Sequence, residues 1–347
     1  MTTPLDRHDV LLADLDGTLY RGPEAVPGAV EAVLAARERG VATMYVTNNA
    51  SRRPADVAAH LVELGFPATG REVVASSQAA AAMLAEQLPA GAAVLVVGTE
   101  ALVEEVTGAG LTVTADAAEA VAVVQGHSPD TGWRVLAEAT VALRAGAVWV
   151  ACNVDPTLPT ERGPLPGNGS MVAALRTASA REPQVAGKPA PALLHEAAQR
   201  SGATNPLMIG DRLDTDVEGG RAAGMTTLLV LTGVSDAAEL LAAPEALRPD
   251  LIGADMSALD RPVDELAPGP RPGWDARPSG DGALELSGDG DPLDALRVLC
   301  AVHWAAGGGD VQVRAVGDGA ERALGELGLR PATVEGADTP DAAGAHP

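Results

Sequence analysis

Two carboxylates separated by one residue, Asp14 and Asp16, lie in the sequence DLDGT directly after a short apolar run. Gly17 permits a sharp turn after them, so both side chains can address one point in space. Phosphoryl transfer through a covalent intermediate requires such a pair, because one group attacks phosphorus and the other gives and takes a proton. A hard divalent cation such as Mg²⁺ is expected as well, since the attacking carboxylate must approach an anion. A solvated turn is the alternative for this motif alone.

A second polar segment, VTNN, ends another apolar run and supplies hydroxyl and amide groups at Thr47, Asn48 and Asn49. Such donors suit phosphoryl oxygens, although any one Asn is also typical of a turn or a helix cap. Lys188, in the sequence GKP, is the single lysine among 24 basic residues. We expect this point cation to hold both the nucleophile and the substrate phosphate in place.

A third segment, GDRLDTD, follows the apolar run PLMI and opens into a predicted helix. Asp211 comes where that run ends and is a candidate metal ligand. Asp216, about one helical turn later, is predicted to orient Lys188 or metal-bound water from behind the site. Asp214 is interpreted instead as a favourable charge near a helix N-terminus.

The elements that must position these groups alternate between strand and helix. The apolar segments 9–14 and 41–47 lack polar alternation and predict buried parallel strands, whereas 27–40 and 53–65 have helical spacing. The segment 206–210 predicts a further strand of the same sheet. Ligands of such α/β sheets collect beyond the carboxyl ends of the strands, which is where the polar segments are expected.

The motifs DLDGT, TNN, GKP and GDxxxTD, in this order, resemble those of the haloacid dehalogenase (HAD) superfamily of aspartate-nucleophile phosphatases. The large α/β insertion between TNN and GKP is similar to that of the subclass containing NagD-like nucleotidases and the phosphoglycolate, glycerol-phosphate and pyridoxal-phosphate phosphatases. The resemblance covers about residues 8–260.

The resemblance implies a role for each motif residue. Asp14 would be the nucleophile and a Mg²⁺ ligand, and Asp16 the general acid/base with its backbone carbonyl on the metal. Thr47 and Asn48 would bind the phosphoryl group, supported by Asn49.

The remaining motifs would supply charge around that centre. Lys188 would neutralise the phosphate and steady the nucleophile, Asp211 would be the third protein ligand of Mg²⁺, and Asp216 would lie behind the ligands.

The implied fold class is α/β, with a Rossmann-like parallel sheet core, an inserted α/β cap and a small α/β C-terminal domain. We expect the core at 1–76 and 187–266 and the cap at 77–186. A linker and the C-terminal extension are expected at 267–347, with disorder from residue 336.

The cap is expected to cover the site and to choose the leaving group. Segments 153–155 and 160–170 resemble the substrate loops of the family, with Asn153, Asp155 and Asn168 as candidates for specificity. Because these loops contain few aromatic side chains, small aliphatic phosphates are favoured as substrates. Glycerol 3-phosphate or 2-phosphoglycolate is the expected substrate, and a nucleotide or pyridoxal phosphate is the alternative.

Composition limits the class of partner and the compartment. With 46% hydrophobic and 20% charged residues the chain is typical of a soluble globular protein, and its formal charge of −23 argues against nucleic acid or anionic lipid as a partner. Two cysteines are too few for a disulfide scaffold and fit the cytoplasm. No apolar run approaches the ~18 residues of a membrane span. The expected partner is a small phosphorylated metabolite.

The tail exceeds what the phosphatase family usually carries. Four prolines in segment 266–278 predict a linker, and segment 314–320 resembles the acetyl-coenzyme A loop of GNAT acetyltransferases. Asp318, however, places negative charge where a phosphate would lie. A structural role or a homodimer contact is therefore favoured, and regulatory binding of acyl-CoA is the alternative. A pseudo-enzyme scaffold is a third hypothesis, against which the intact motifs weigh.

Overall fold

The structure of the protein is a computed structural model that describes residues 2–158 and 162–329. The described residues divide into two compact units, one within 2–236 and 243–268, and one within 237–242 and 269–329. The tail from residue 336 and residues 160 and 161 of the expected substrate loop lie outside the described residues. In the part of the chain that is described, no helix has the length and apolarity needed to cross a bilayer.

The strands of both units are short and are numbered in chain order. They are β1 (Val10–Ala13), β2 (Tyr20–Arg21), β3 (Glu24–Ala25), β4 (Ala42–Thr47), β5 (Val73–Ala75), β6 (Ala93–Val97), β7 (Thr112–Thr114), β8 (Ala122–Gln125), β9 (Val148–Ala151), β10 (Thr157–Leu158), β11 (Leu165–Pro166), β12 (Gln184–Val185), β13 (Pro206–Gly210), β14 (Thr226–Val230), β15 (Leu251–Gly253), β16 (Trp274–Pro278), β17 (Leu284–Gly288) and β18 (Val313–Val316).

The α-helices are numbered in the same way. They are α1 (Pro4–Arg7), α2 (Ala29–Glu38), α3 (Pro54–Glu63), α4 (Ser76–Gln87), α5 (Glu100–Gly108), α6 (Trp133–Arg144), α7 (Asn168–Ser179), α8 (Ala192–Ser201), α9 (Glu218–Ala222), α10 (Ala237–Ala242), α11 (Val263–Leu266), α12 (Pro292–Ala305) and α13 (Asp318–Glu326). A π-helical turn, Leu213–Val217, precedes α9.

The first unit is built on a six-stranded parallel sheet in the order β15-β14-β13-β1-β4-β5. β1 lies between β13 and β4, where Val10 is aligned with Pro206 on one side and Ala42 on the other. Leu11 packs in the apolar cluster that contains side chains of α2 and α3, whereas Leu12 packs in the cluster that contains side chains of α4 and α8. Helices thus cover both faces of the sheet, which explains why all of β1 is buried and apolar. The expected parallel α/β core is confirmed.

A second sheet of the same unit has five strands in the order β12-β9-β8-β6-β7, and all its pairs are parallel. One face packs on α6 and α7, around the buried Trp149. Val94 and Val124, on the other face, belong to the same apolar cluster as Leu12 of the core sheet. The inserted sheet is therefore joined to the core sheet by continuous apolar packing, and we call the inserted segment the cap.

The second unit contains a three-stranded sheet in the order β16-β17-β18. The pair β16/β17 is antiparallel and the pair β17/β18 is parallel. Leu296 and Leu299 of α12 are buried. Arg297 of the same helix is also buried and forms an ion pair with Asp294 at 2.6 Å.

The prediction of a linker throughout 266–278 is wrong at its C-terminal end. Residues Trp274–Pro278 form β16, because each of them pairs with a residue of β17. Pro278 occupies the last position of this edge strand, where a missing backbone amide hydrogen disturbs the ladder least.

Candidate active site

The candidate active site is a cavity of about 270 Å³ at the carboxyl ends of the core strands. The loop after β1 contributes Asp14, the last residue of β4 is Thr47, and the segment before α8 contributes Lys188. The cap closes the cavity with His127 and Asn153, which follow β8 and β9. The structure therefore brings groups that are far apart in the chain to one place.

Lys188 is at the centre of the charged groups. Its Nζ donates to Asp14 Oδ1 at 2.5 Å and to Asp216 Oδ1 at 2.7 Å, and the side chain is only 2% exposed. Burial acts to lower the pKa of Lys188, but the Coulombic attraction of the two carboxylates outweighs it and raises the pKa. The ammonium group therefore stays charged, and it holds Asp14 in a fixed position.

Asp14 follows β1 and is held there by its backbone N–H, which donates to Ile209 O at 2.9 Å. Burial raises the pKa of Asp14 well above its usual value; attraction to Lys188 opposes this rise, and repulsion from Asp216 adds to it. No hydrogen bond from the described part of the chain reaches Asp14 Oδ2. This oxygen is the candidate attacking atom, because Oδ1 is engaged by Lys188.

Asp16 occupies the turn after Asp14 and exposes its side chain to the cavity. The turn needs Gly17, which has a φ of 87°, and Thr232 Oγ1 donates to Gly17 O at 2.6 Å. Although Asp16 contacts solvent, the surrounding protein removes enough water to raise its pKa, an effect that the charge of His60 opposes. A carboxyl group with a raised pKa at the rim of a cavity suits a proton donor.

Asp211 lies at the end of β13 and is fully buried. Its Oδ2 accepts from Val234 N at 2.7 Å and its Oδ1 accepts from Thr18 Oγ1 at 3.4 Å. Burial raises the pKa of Asp211 to about 6, with a further contribution from Asp216. The hydrogen bonds fix the orientation of this carboxylate, whereas its surroundings disfavour its charge unless a cation is present.

The donor set fits a hard divalent cation. Carboxylate oxygens of Asp14, Asp211 and Asp216 lie within 4.8 Å of one another, and Lys188 contributes the only positive charge in direct contact with any of the three in the described residues. Three carboxylates against one ammonium group leave an excess of negative charge, and carboxylate oxygens are the ligands that Mg²⁺ prefers. The Asp16 carboxylate is not in this cluster, and the use of its backbone carbonyl as a ligand stays a prediction.

The loop after β4 is tied to the Lys188 loop. Asn48 Nδ2 donates to Lys188 O at 2.9 Å, and Lys188 N donates back to Asn48 Oδ1 at 2.8 Å. Thr47 is buried and its Oγ1 accepts from Asn49 N at 3.1 Å, while Asn49 Oδ1 accepts from Ser51 N at 2.8 Å. The Asn48 amide thus positions Lys188, and contact of this loop with a phosphoryl group stays a prediction.

The three cap candidates meet at the cavity. Asn153 Nδ2 donates to Asn48 O at 2.7 Å, which latches the cap to the loop after β4. Asn168 Nδ2 donates to Asn153 O at 2.7 Å, and Asp155 lies 3.4 Å from Asn48 Nδ2. Burial raises the pKa of Asp155, which the hydrogen bond from Asn48 opposes. Their contacts therefore connect the cap to the loop that is expected to hold phosphate.

The sequence did not lead us to the groups that support Asp211. Thr18 stands inside the DLDGT motif, and Val234 follows β14 in the segment TGVS. Val234 was detectable in principle, because β14 is one more parallel strand and Gly233 and hydroxyl side chains mark its carboxyl end. His127 also lines the cavity, although no motif included it.

Comparison with known families covers most of the chain. Residues 11–112 match the haloacid dehalogenase-like hydrolases, and residues 185–259 match the HAD-hydrolase-like family. Residues 271–329 match the GCN5-related N-acetyltransferase like domain.

The chain is 50% identical over 324 residues to the D-glycerol 3-phosphate phosphatase of Mycobacterium tuberculosis, which covers 90% of this chain and 91% of that protein. It is 39% identical over 226 residues to the 5'-nucleotidase YutF of Bacillus subtilis, covering 65% of this chain and 87% of that one. The crystal structure of a glycerol phosphate phosphatase from Mycobacterium tuberculosis in complex with magnesium superimposes with a TM-score of 0.90 at 49% identity, covering 95% of this chain and 100% of that one.

Proposed function

We propose that this chain, which belongs to the haloacid dehalogenase-like hydrolases, hydrolyses glycerol 3-phosphate through phosphorylation of Asp14. The proposal proceeds from its being a phosphoric monoester hydrolase with Mg²⁺ as cofactor. The observation that carries the proposal is the buried Lys188 between Asp14 and Asp216, which leaves one oxygen of Asp14 for attack. The small phosphorylated metabolite expected from the sequence is the substrate class of such an enzyme.

The reaction divides between the two carboxyl groups of the first motif. Asp14 attacks phosphorus, an aspartyl-phosphate forms, and the bond from phosphorus to the glycerol oxygen breaks. Asp16 donates its proton to that leaving oxygen and, as a carboxylate, then takes a proton from the water that hydrolyses the aspartyl-phosphate. Lys188 stays charged throughout and stabilises the negative oxygens around phosphorus.

The acidic cluster supports the metal ligands that we propose. Asp14, Asp211 and the backbone carbonyl of Asp16 would hold Mg²⁺, with Asp216 behind them as the partner of Lys188. Mg²⁺, when bound, offsets the charge of the phosphoryl group as Asp14 approaches it.

The size and lining of the cavity support a small substrate. Its volume, about 270 Å³, lies below the roughly 300–1,000 Å³ of sites that enclose drug-sized ligands. Its described lining contains no Phe, Tyr or Trp that would stack on a nucleobase or a pyridine ring. A three-carbon polyol phosphate therefore suits the cavity better than a nucleotide or pyridoxal phosphate does, and 2-phosphoglycolate remains the alternative small substrate.

A phosphate-release screen tests the proposal. Glycerol 3-phosphate, 2-phosphoglycolate, pyridoxal phosphate and mononucleotides are compared with and without Mg²⁺. We expect the highest kcat/KM for glycerol 3-phosphate and no release without a divalent cation. A higher kcat/KM for any mononucleotide would transfer the proposal to the alternative substrate class.

For the C-terminal unit we propose a structural role. The start of α13 corresponds to the loop that resembles a coenzyme A site, but Gly319 there packs against Gly288 O and Asp289. Asp318 places a carboxylate in the first turn of this helix, which disfavours a pyrophosphate. Calorimetry of the intact protein with acetyl-CoA should give no binding heat. Light scattering tests the alternative role in a homodimer.

We also propose that the enzyme is cytoplasmic. Cys152 and Cys300 are both buried thiols, a state that a reducing compartment maintains. Fractionation of cells expressing the tagged protein tests this placement.

A further inference from the structure

The cap strand β8 ends at a backbone segment that is held on several sides. Gln125 O accepts from Cys152 N at 2.8 Å and from Asn168 Nδ2 at 3.3 Å. Gly126 N donates to Val97 O at 2.8 Å. The position of the next residue, His127, is therefore fixed by main-chain hydrogen bonds to both neighbouring strands of the cap sheet.

Gly126 also sets the distance between this segment and the core. A Cβ atom on Gly126 would lie 3.2 Å from Ala50 Cβ and 3.3 Å from Cys152 Sγ, which is closer than ordinary van der Waals contact. Glycine allows the backbone to pack closely against Ala50, two residues after the phosphate-loop residue Asn48. This close approach brings the half-buried His127 into the cavity wall.

The imidazole of His127 has unused hydrogen-bonding capacity. It lines the same cavity as Asp14 and Lys188, and no hydrogen bond or ion pair from the described residues reaches its ring nitrogens. A neutral imidazole offers one donor and one acceptor. Asn153 and Asn168, the neighbouring polar groups of the cap wall, use their amide nitrogens on backbone carbonyls instead.

We propose that His127 is a specificity-determining residue, whose imidazole hydrogen-bonds a hydroxyl group of the alcohol that leaves from phosphorus. This inference rests on the proposed function, since it assigns the recognition of that same substrate. Phosphorus must lie beside Asp14 and Lys188, which belong to the core, so the carbon chain of the substrate extends toward the cap. His127 is then the cap group with ring nitrogens available to a polyol hydroxyl.

The test compares substrates that differ only in hydroxyl groups. Phosphate release is measured for glycerol 3-phosphate and for propyl phosphate, with wild type, His127→Ala and the matched control His195→Ala. His195 is exposed on α8, outside the cavity lining. We expect His127→Ala to lower kcat/KM for glycerol 3-phosphate by about tenfold, the loss of one hydrogen bond, and to leave propyl phosphate unchanged. His195→Ala should change neither value.

The ratio of the kcat/KM values for the two substrates within one variant is independent of the fraction of enzyme that is folded. His127→Asn or His127→Gln, whose amides lie near the two ring nitrogen positions, should restore part of the preference for glycerol 3-phosphate. An equal loss of kcat/KM for both substrates in His127→Ala would overturn the proposal and assign His127 a structural role. Wild-type kcat/KM values for both substrates in His127→Ala would overturn it too. If the wild type has the same kcat/KM for propyl phosphate as for glycerol 3-phosphate, the proposed substrate is overturned, and this inference with it.

Discussion

Replacing Lys188 by methionine should both destabilise the protein and abolish its activity. Methionine has a similar length and no charge, so the change removes the ammonium group that lies 2.5 Å from Asp14 and 2.7 Å from Asp216. The half-buried Asp14 and the buried Asp216, with Asp211 beside them, then repel one another without compensation. Breaking a buried ion pair on one side costs about 3–5 kcal/mol.

Part of that loss is relieved by protonation. Burial already raises the pKa of Asp14, so this carboxyl group takes up a proton readily once the cation is gone. We therefore use the lower bound of about 3 kcal/mol, which corresponds to a decrease in Tm of roughly 6–12 °C at about 2–4 °C per kcal/mol. The kcat/KM should fall at least about 10³-fold, because the variant loses the charge that stabilises the transferring phosphoryl group.

Circular dichroism melts and phosphate release measure the two effects. The matched control is Arg176→Met, which breaks the exposed ion pair between Arg176 and Glu182. Exposed pairs contribute at most about 1 kcal/mol, so the control should keep its activity and most of its Tm. A Lys188→Met variant with an unchanged Tm, or with more than a tenth of the wild-type kcat/KM, would refute the central role given to this lysine.

Three further predictions concern the same centre. Asp14→Asn should abolish turnover of p-nitrophenyl phosphate while its circular dichroism spectrum stays that of the wild type; retained turnover would reject a covalent intermediate on this residue. Gly17→Ala should lower the free energy of unfolding by more than about 1 kcal/mol in urea titrations and reduce activity, because φ is 87° and the new Cβ would meet the Asp211 carboxylate. Mg²⁺ should raise the Tm, since a ligand at 100 times its Kd stabilises the folded state by about 2.7 kcal/mol, and EDTA should remove both this gain and the activity. A Tm that does not respond to Mg²⁺ would contradict the metal site.

Much of the catalytic centre could be predicted from local sequence. Asp14 and Asp211 each follow an apolar strand and Thr47 ends one, and the carboxyl ends of parallel strands meet at one edge of a sheet. The type of residue at each strand end therefore indicates which groups converge, even before the strand order is known. The single lysine in GKP was informative as well, because every other basic residue among the 24 is an arginine.

The sequence alone gave less information where the position of a residue depends on a distant segment. β13 lies beside β1 although nearly 200 residues separate them, and that neighbourhood brings Asp211 to Asp14. The apolar pattern of a buried parallel strand does not identify its neighbours, because Val, Leu and Ile pack equally well beside many strands. The linker prediction failed for the same reason, since Trp274–Pro278 is a strand only through its pairing with β17.

The positions of the cap residues that line the cavity depend most strongly on tertiary structure. The approach of Gly126 to Ala50 and the hydrogen bond from Asn153 to Asn48 join segments that have no shared motif. These contacts arise because the cap sheet and the core sheet bury their apolar faces in one cluster, which fixes the orientation of the cap loops over the cavity. Short sequence motifs thus determine which chemical groups the site contains, whereas the selection of its substrate depends on how the cap sheet and the core sheet pack.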